Sequence, residues 1–316
     1  MEMRRMGHSG LKLSALSLGS WVTFGSQFGV DSAVEIMKAA YDAGVNFFDN
    51  AEAYAMGEAE VLMGEAFRKL GWRRGSYVVS TKFYWGLHDS PNEKNTLNRK
   101  RLMDAIDGSL HRFKLDEIDL VYCHRDEVET PVGEIVWAMS DMITAGKAHY
   151  WGTSEWTADR IVEATNFARE YRLHAPIVVQ PNYNLLTRTR FEQEYRPVFD
   201  TLKNGATTFS PLASGILSGK YLDGIPEESR LSLPNMSWLH DGLEEKLAKV
   251  KSLKAVADEL GCTLSQLSIA WCLKNPDVTS VITGASKLSQ WEENLGALAV
   301  VGRLDDPIMQ RIHSLV

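Results

Sequence analysis

"NFFDNAEAYAMGEAEVLMGEAF", residues 46–67, passes from a short apolar run through an acid and a tyrosine into an amphipathic pattern. The opening "NFFD" suits a buried strand, and the stretch from residue 57 places apolar side chains at helical spacing. A strand that feeds a helix through a short loop is one β/α unit. Taken alone, Asp49 and Tyr54 read equally well as a turn acid and a packing tyrosine. What they mean depends on whether the unit repeats, and on what ends the other strands.

The unit does repeat. Ahead of it, "MEMRRM", the turn-rich "GHSG" and the alternating "LKLSALSL" predict an N-terminal β-hairpin. Strands are then predicted at 14–19, 46–49, 77–82, 118–124, 148–154, 177–183, 207–212 and 280–285. Helices are predicted at 31–44, 57–70, 99–113, 132–145, 157–171, 191–204, 243–260 and 287–299, with an additional one at 263–274 capped by Thr263. Gly44, Gly71, Gly146 and Gly261 stand where left-handed C-caps belong. Eight strand–helix pairs predict parallel α/β architecture. A doubly wound open sheet is the competitor, but no linker divides the chain. The expectation is one (β/α)8 TIM-barrel domain spanning 1–316, with a hairpin at its N-terminus. The 213–242 interval, rich in Gly, Ser and Pro, is too long for a connector and reads as a functional loop after strand seven.

The chain has 316 residues, 44% hydrophobic and 24% charged, within the ordinary globular range. A net charge of −7 without a basic run argues against nucleic acid and anionic membrane surfaces. No apolar stretch reaches the roughly 18 residues of a membrane-spanning helix. The N-terminus lacks the apolar core of a signal peptide, so a cytoplasmic location is expected. Cys123, Cys262 and Cys272 are too scattered for a disulfide framework, and without a C-x-x-C no metal site is expected.

In a barrel of this kind, chemistry collects at the C-terminal ends of the strands. Those ends carry Asp49 with Tyr54 just beyond, then Lys82, then His124. Singly, Lys82 suits a solvated charge and His124 a satisfied core histidine; together they suggest a site. No G-x-G-x-x-G dinucleotide fingerprint is present. "GILSGKY" (215–221) is one residue short of a phosphate loop and has Tyr221 in place of the magnesium-binding Ser/Thr.

"FFDNAEAYAMGEAEVLMGEAF", "VVSTKF", "DLVYCHRDE", "GTSEW", "QPNYNLL", "FSPLASGILSGKY" and "VITGASKLSQWEENL" follow one another along nearly the whole chain. In these pieces and their order it resembles the aldo-keto reductase superfamily. With "GSWVTFGSQ", "SGKYLDGIPEESRLSL" and "LGCTLSQLSIAWCLKN" it is most similar to the subgroup containing voltage-gated potassium-channel β subunits and their bacterial and plant relatives. The resemblance implies a catalytic tetrad of Asp49, Tyr54, Lys82 and His124. Tyr54 would be the general acid, its pKa drawn down from about 10 by Lys82, which Asp49 holds charged. A drop of about two units corresponds to roughly 2.7 kcal/mol. His124 would orient the substrate oxygen.

The resemblance also implies an NADP(H) site. Ser20, Trp21 and Gln27 would approach the nicotinamide, with Asp49 beside it; Ser154 and Gln180 would bind its carboxamide. Ser210, Pro211, Leu212, Ser214 and Gly215 would run beside the pyrophosphate. Lys220 and Arg230 on the long loop would join Gly284, Ser286, Gln290, Glu293 and Asn294 around the last helix. A helix N-terminus with two nearby cations favours the 2′-phosphate of NADPH over the bare ribose of NADH. Trp21, Tyr84, Trp85 and Trp156 follow strand ends and would form an aromatic substrate wall.

Two functions remain: NADPH-dependent reduction of aldehydes and ketones, or a nucleotide-binding, potassium-channel β-like regulatory subunit with little turnover. The channel subunits of the resemblance carry Asn at the position of His124 and Arg at that of Glu155. The chain also begins almost at the hairpin, leaving no segment long enough to plug a pore. Both departures favour the enzyme, while the subgroup implies a homo-tetramer and leaves a channel partner open.

Overall fold

The apolar runs close on one another as a parallel barrel in the computed structural model, which describes residues 1–316 apart from 22, 26–28, 228 and 233–239. Strands β1 (Met3–Arg5) and β2 (Lys12–Ser14) form the antiparallel hairpin. The barrel comprises β3 (Leu16–Gly19), β4 (Phe47–Asp49), β5 (Val78–Phe83), β6 (Ile118–Cys123), β7 (Ala148–Ser154), β8 (Val178–Gln180), β9 (Gly205–Thr208) and β10 (Ser280–Thr283). Each pairs with the next, and β10 closes the ring onto β3. Strands β4, β5, β9 and β10 are buried at every residue. That is why they read as continuous apolar or small-residue runs rather than as alternations.

Helices α1 (Val30–Asp42), α2 (Glu58–Leu70), α3 (Arg99–Phe113), α4 (Val132–Thr144) and α5 (Ala158–Glu170) follow the first five barrel strands. Next come α6 (Arg196–Asp200), α7 (Leu243–Glu259), α8 (Leu264–Lys274), α9 (Leu288–Leu295), α10 (Ala297–Val301) and α11 (Asp306–Leu315). The larger apolar core includes Phe48, Val79, Val121 and Trp151 from the strands and Met63, Ile106 and Met139 from the helices. A smaller cluster joins Phe47, Val78, Leu120, Tyr122, Val178 and Ile282 to Met6 and Leu13 of the hairpin region. Each large apolar side chain fully buried in these layers stabilises by roughly 1.5–3 kcal/mol.

The hairpin stoppers the end of the barrel opposite the strand ends that carry the polar residues. His8 N–H donates to Lys203 O just ahead of β9, and Gly7 sits at φ +52°. A Cβ on Gly7 would lie 2.3 Å from Lys203 O and 2.5 Å from Gly205 N, so the close approach requires glycine.

Four elements differ from the sequence expectation. The helix expected at 191–204 breaks at Tyr195 into a wide π turn (Arg190–Glu194) and the short α6, whose second residue is Pro197. A proline inside one continuous helix would remove a hydrogen bond and clash with the preceding turn. The seventh barrel strand lies earlier than 207–212, because Ser210 turns to φ +54° and Pro211 follows it. The 287–299 helix divides at Gly296, where a Cβ would meet Gln266 Nε2 at 2.4 Å. Finally, α11 has no counterpart among the predicted helices. Asp305 caps it by accepting from Ile308 N–H at 3.0 Å.

Candidate active site

Register sets the site. Asp49 ends β4 directly opposite Ser80 of β5, and the period-two alternation of a strand puts Lys82 on the same face as Ser80, one step farther along. Lys82 lies opposite Tyr122 of β6, and His124 repeats that step beyond Tyr122. The side chains meet accordingly. Lys82 Nζ donates to Asp49 Oδ2 and Asn50 O, both at 2.7 Å, and lies 3.3 Å from Tyr54 Oη. Asp49 Oδ1 accepts from Ser80 Oγ at 2.7 Å and Gln180 Nε2 at 3.1 Å. The structure thus gathers Asp49, Tyr54 and Lys82 by direct contact. His124 joins them ring to ring, its centroid 5.9 Å from that of Tyr54.

Tyr54 projects from a turn made of left-handed residues: Ala55, Met56 and Gly57 have φ of +48°, +54° and +91°. A buried ion pair braces this loop. Glu52 meets Arg101 at the start of α3, and Arg101 Nε also donates to Glu93 O at 3.1 Å. One guanidinium therefore ties the Tyr54 loop to the loop that follows β5.

Electrostatics depart from the sequence expectation at Tyr54. Its pKa lies above the ordinary 10 rather than below it. Enclosure penalises the phenolate by more than Lys82 compensates, and Asp49 repels the same charge. Burial is the largest single effect on Lys82 and opposes its ammonium, yet Asp49 and Tyr54 together outweigh it and raise the lysine above its usual value. His124 is driven well below 6.5, first by burial and then by the Lys82 and Arg125 cations. The set at neutral pH is a protonated phenol, a charged lysine paired with a carboxylate, and a neutral imidazole. His124 Nδ1 is buried without a hydrogen-bond partner among the described residues.

These groups border a cavity of about 280 Å³ lined by Trp21, Ala53, Tyr54, Trp85, His124, Arg125, Ser154, Gln180 and Phe209. Trp21 and Trp85 thus stand where the sequence placed a wall. Trp156 does not: it is fully buried, and its Nε1 donates to Arg125 O at 2.9 Å, so it packs beneath the loop. Tyr84 touches Trp85 edge-on from outside the lining. Ala53, Arg125 and Phe209 were absent from the expected site. Each directly adjoins a residue already singled out or the end of its strand, which is the signal that could have found them.

The expected nucleotide residues fall into separate groups. Ser20 N–H and Oγ both donate to Asp49 O, at 3.0 and 3.2 Å, and Ser154 Oγ donates to Gln180 O at 2.9 Å. Gln27 lies outside the described residues. Beyond β9, Ser210, Ala213, Ser214 and Gly215 all take positive φ, with Pro211 buried and Leu212 half-buried between them. Lys220 curls back over this turn: a Cβ on Gly215 would come within 3.3 Å of its Nζ. Arg230 rests its guanidinium 5.4 Å from the Trp21 ring. At the last strand end, Ser286 N–H and Oγ converge on Gln290 Oε1 at 2.8 and 2.9 Å. Asn294 Nδ2 reaches Gly284 O at 3.5 Å, while Glu293 O accepts from Gln266 Nε2.

This donor set fits a phosphorylated dinucleotide. The Gly215 turn leaves open the space a Cβ would fill, beneath an ammonium. Tyr221, fully buried with its hydroxyl beside that turn, has no hydrogen-bond partner among the described residues. Two Ser286 donors already point at one acceptor oxygen, the arrangement an anion takes at a helix start.

A family model described as the aldo/keto reductase family matches residues 15–316. Two plant proteins, each described as a probable voltage-gated potassium channel subunit beta, are similar throughout. The one from Oryza sativa subsp. japonica is 50% identical over 319 residues, covering 100% of this chain and 97% of its own. The one from Arabidopsis thaliana is 48% identical over 319 residues with the same coverage.

Proposed function

The chain belongs to the aldo/keto reductase family, and on that premise we propose that it reduces aldehyde or ketone carbonyls to alcohols with NADPH. The observation that carries this reading is the Tyr54 hydroxyl, 3.3 Å from Lys82 Nζ and bordering the cavity. When bound, NADPH supplies the hydride to the carbonyl carbon and is left as NADP⁺. Tyr54 holds the proton that the carbonyl oxygen needs, and its raised pKa keeps that proton in place through neutral pH. Lys82 stabilises the phenolate that remains, and Asp49 fixes the lysine. Neutral His124 can offer an N–H to the same carbonyl oxygen without carrying charge into the cavity. At neutral pH the phenol therefore stands in the protonated form that reduction requires, and Lys82 offsets part of the cost of giving the proton up.

Ser154 and Gln180 border the cavity where a carboxamide would bind, and the Ser210–Gly215 turn suits the pyrophosphate. Ser286, with its two convergent donors, suits the 2′-phosphate.

A second reading, a nucleotide-binding subunit that regulates a channel, is favoured by the descriptions of the two plant relatives, which support it more directly than they support turnover. The two readings share the fold and the nucleotide and differ in rate. A screen of aldehydes and ketones against NADPH oxidation by the purified protein separates them. Under the reductase reading, Tyr54→Phe lowers turnover about 10²–10⁴-fold while NADPH affinity, measured by fluorescence titration, is retained. Turnover indifferent to Tyr54→Phe would remove the phenol from the mechanism. Nucleotide binding without reduction of any carbonyl would leave the regulatory reading.

A further inference from the structure

We propose that Arg125 makes this cavity selective for carbonyl compounds that also carry a carboxylate, a proposal that rests on the carbonyl-reduction reading. The guanidinium lines the cavity beside His124, with Nη1 donating to His124 O at 2.6 Å and Cζ lying 5.4 Å from the Trp85 ring. That backbone bond engages one of the five N–H groups an arginine possesses. Among the described residues Arg125 forms no ion pair, because the nearby acids are committed elsewhere. Asp49 is held by Lys82, Asp126 by Arg160, Glu155 by Arg190 and the Asn182 N–H, and Glu127 by the Leu97 N–H.

The charge balance of the cavity follows. The Lys82 charge is offset by Asp49, the imidazole is neutral, and Tyr54 keeps its proton. Among the described lining residues, what remains is the positive charge of Arg125, against the aromatic walls of Trp21, Trp85 and Phe209. Water can satisfy the spare N–H groups of the free protein. A carboxylate matches their planar fork and gains charge-assisted bonds in surroundings less polar than bulk water. The nicotinamide would take the Ser154–Gln180 side of this cavity of about 280 Å³, and the space left suits short or single-ring molecules, so aromatic or short aliphatic aldehyde acids are the class it fits.

The test compares kcat/KM of the full chain with NADPH for 4-carboxybenzaldehyde and for 4-methylbenzaldehyde. The parent should prefer the carboxylate, and the preference should weaken with salt. Arg125→Gln retains a donor for His124 O; it should lower the carboxylate-to-methyl ratio about 10–100-fold, the equivalent of one lost charged hydrogen bond. The ratio cancels any general loss of activity. Arg125→Lys should restore part of it. A second measurement needs no turnover: tryptophan fluorescence follows binding of 4-(hydroxymethyl)benzoate against 4-methylbenzyl alcohol. Tighter benzoate binding that Arg125→Gln abolishes supports the anion site even if no aldehyde is reduced, in which case only the reductase reading falls. Benzoate binding no tighter than the alcohol in the parent protein, or ratios unmoved by Arg125→Gln, overturns the anion site.

Discussion

Around Asp49 the polar atoms of the lysine and the acid find close partners: Lys82 Nζ has three within 3.3 Å, and the Asp49 carboxylate accepts from three side chains. Along the segment after β9 the pattern is different. Among the described residues the Tyr221 hydroxyl and Thr208 Oγ1 are buried without partners, and three non-glycine residues, Ser210, Ala213 and Ser214, hold left-handed backbones. Such conformations cost of order 1–3 kcal/mol each and persist where the surroundings enforce them. One region is assembled by side chains on paired strands, whose register leaves them little freedom. The other is assembled from backbone, with donors that a ligand can complete. Under the proposed function, the half that would deliver the proton is complete within the chain, whereas the segment after β9 is the part that a bound nucleotide should change most.

Breaking the first region should have the largest effect. Lys82→Met removes the partner of Asp49, both residues being buried, and leaves an uncompensated carboxylate. Such a change typically destabilises by about 3–5 kcal/mol. Turnover should fall by a factor similar to that expected for Tyr54→Phe, because the phenolate loses its cation. Adding Asp49→Asn removes the stranded charge while keeping an oxygen for Ser80 and Gln180. The double variant should recover much of the stability in urea unfolding and none of the turnover. A single variant as stable as the parent would mean that the pair is not the keystone its burial implies.

The same contrast explains what could be read in the sequence. Strand ends were legible because hydrophobic runs mark the strands and polar residues at their ends stand out. Asp49, Tyr54, Lys82 and His124 were found that way, and the structure brings them together. The sign of the Tyr54 shift was not legible: it depends on enclosure by residues distant in sequence, which weighs more than the lysine. Trp156 and Trp85 occupy equivalent-looking places after strands, yet one turns under its loop and the other lines the cavity. Only tertiary packing separates them. The break at Tyr195 was signalled by Pro197, although the helical apolar spacing around it concealed the interruption.

Loosening the second region should have an intermediate effect, visible in cofactor choice. Under the proposed function the parent prefers NADPH to NADH. Neutralising Lys220 and Arg230 together should reduce that preference about 10–100-fold, since bonds to a charged phosphate contribute about 1.5–3 kcal/mol. Single variants sharpen the comparison, because the two cations do not sit alike. Lys220 lies over the Gly215 turn, whereas Arg230 rests on Trp21. Calorimetric titration with each nucleotide would show whether Lys220→Met and Arg230→Met discriminate between them. Equal affinity of the parent for both nucleotides would contradict the phosphate assignment.

The smallest effect belongs to His124, at the edge of the first region. Its folded-state pKa lies well below the ordinary 6.5, because burial and the cations of Lys82 and Arg125 oppose a charged imidazole. Between the folded value and 6.5, the unfolded chain binds a proton that the folded chain refuses. Stability from this group is therefore complete above about pH 6.5 and is lost as pH falls below it, with a slope of at most about 1.4 kcal/mol per pH unit. His124→Asn removes that titration and retains an amide able to hydrogen-bond in the cavity. Urea unfolding of parent and variant between pH 8 and pH 5 should give stability curves whose separation is constant above about pH 7. Below about pH 6.5 the separation should change, with the variant gaining on the parent by up to about 2 kcal/mol by pH 5. The difference between the two curves is the informative quantity, because other histidines and the carboxylates contribute nearly equally to both. Curves that stay parallel through pH 5 would mean that His124 accepts a proton in place, and that the cavity tolerates a second cation beside Arg125.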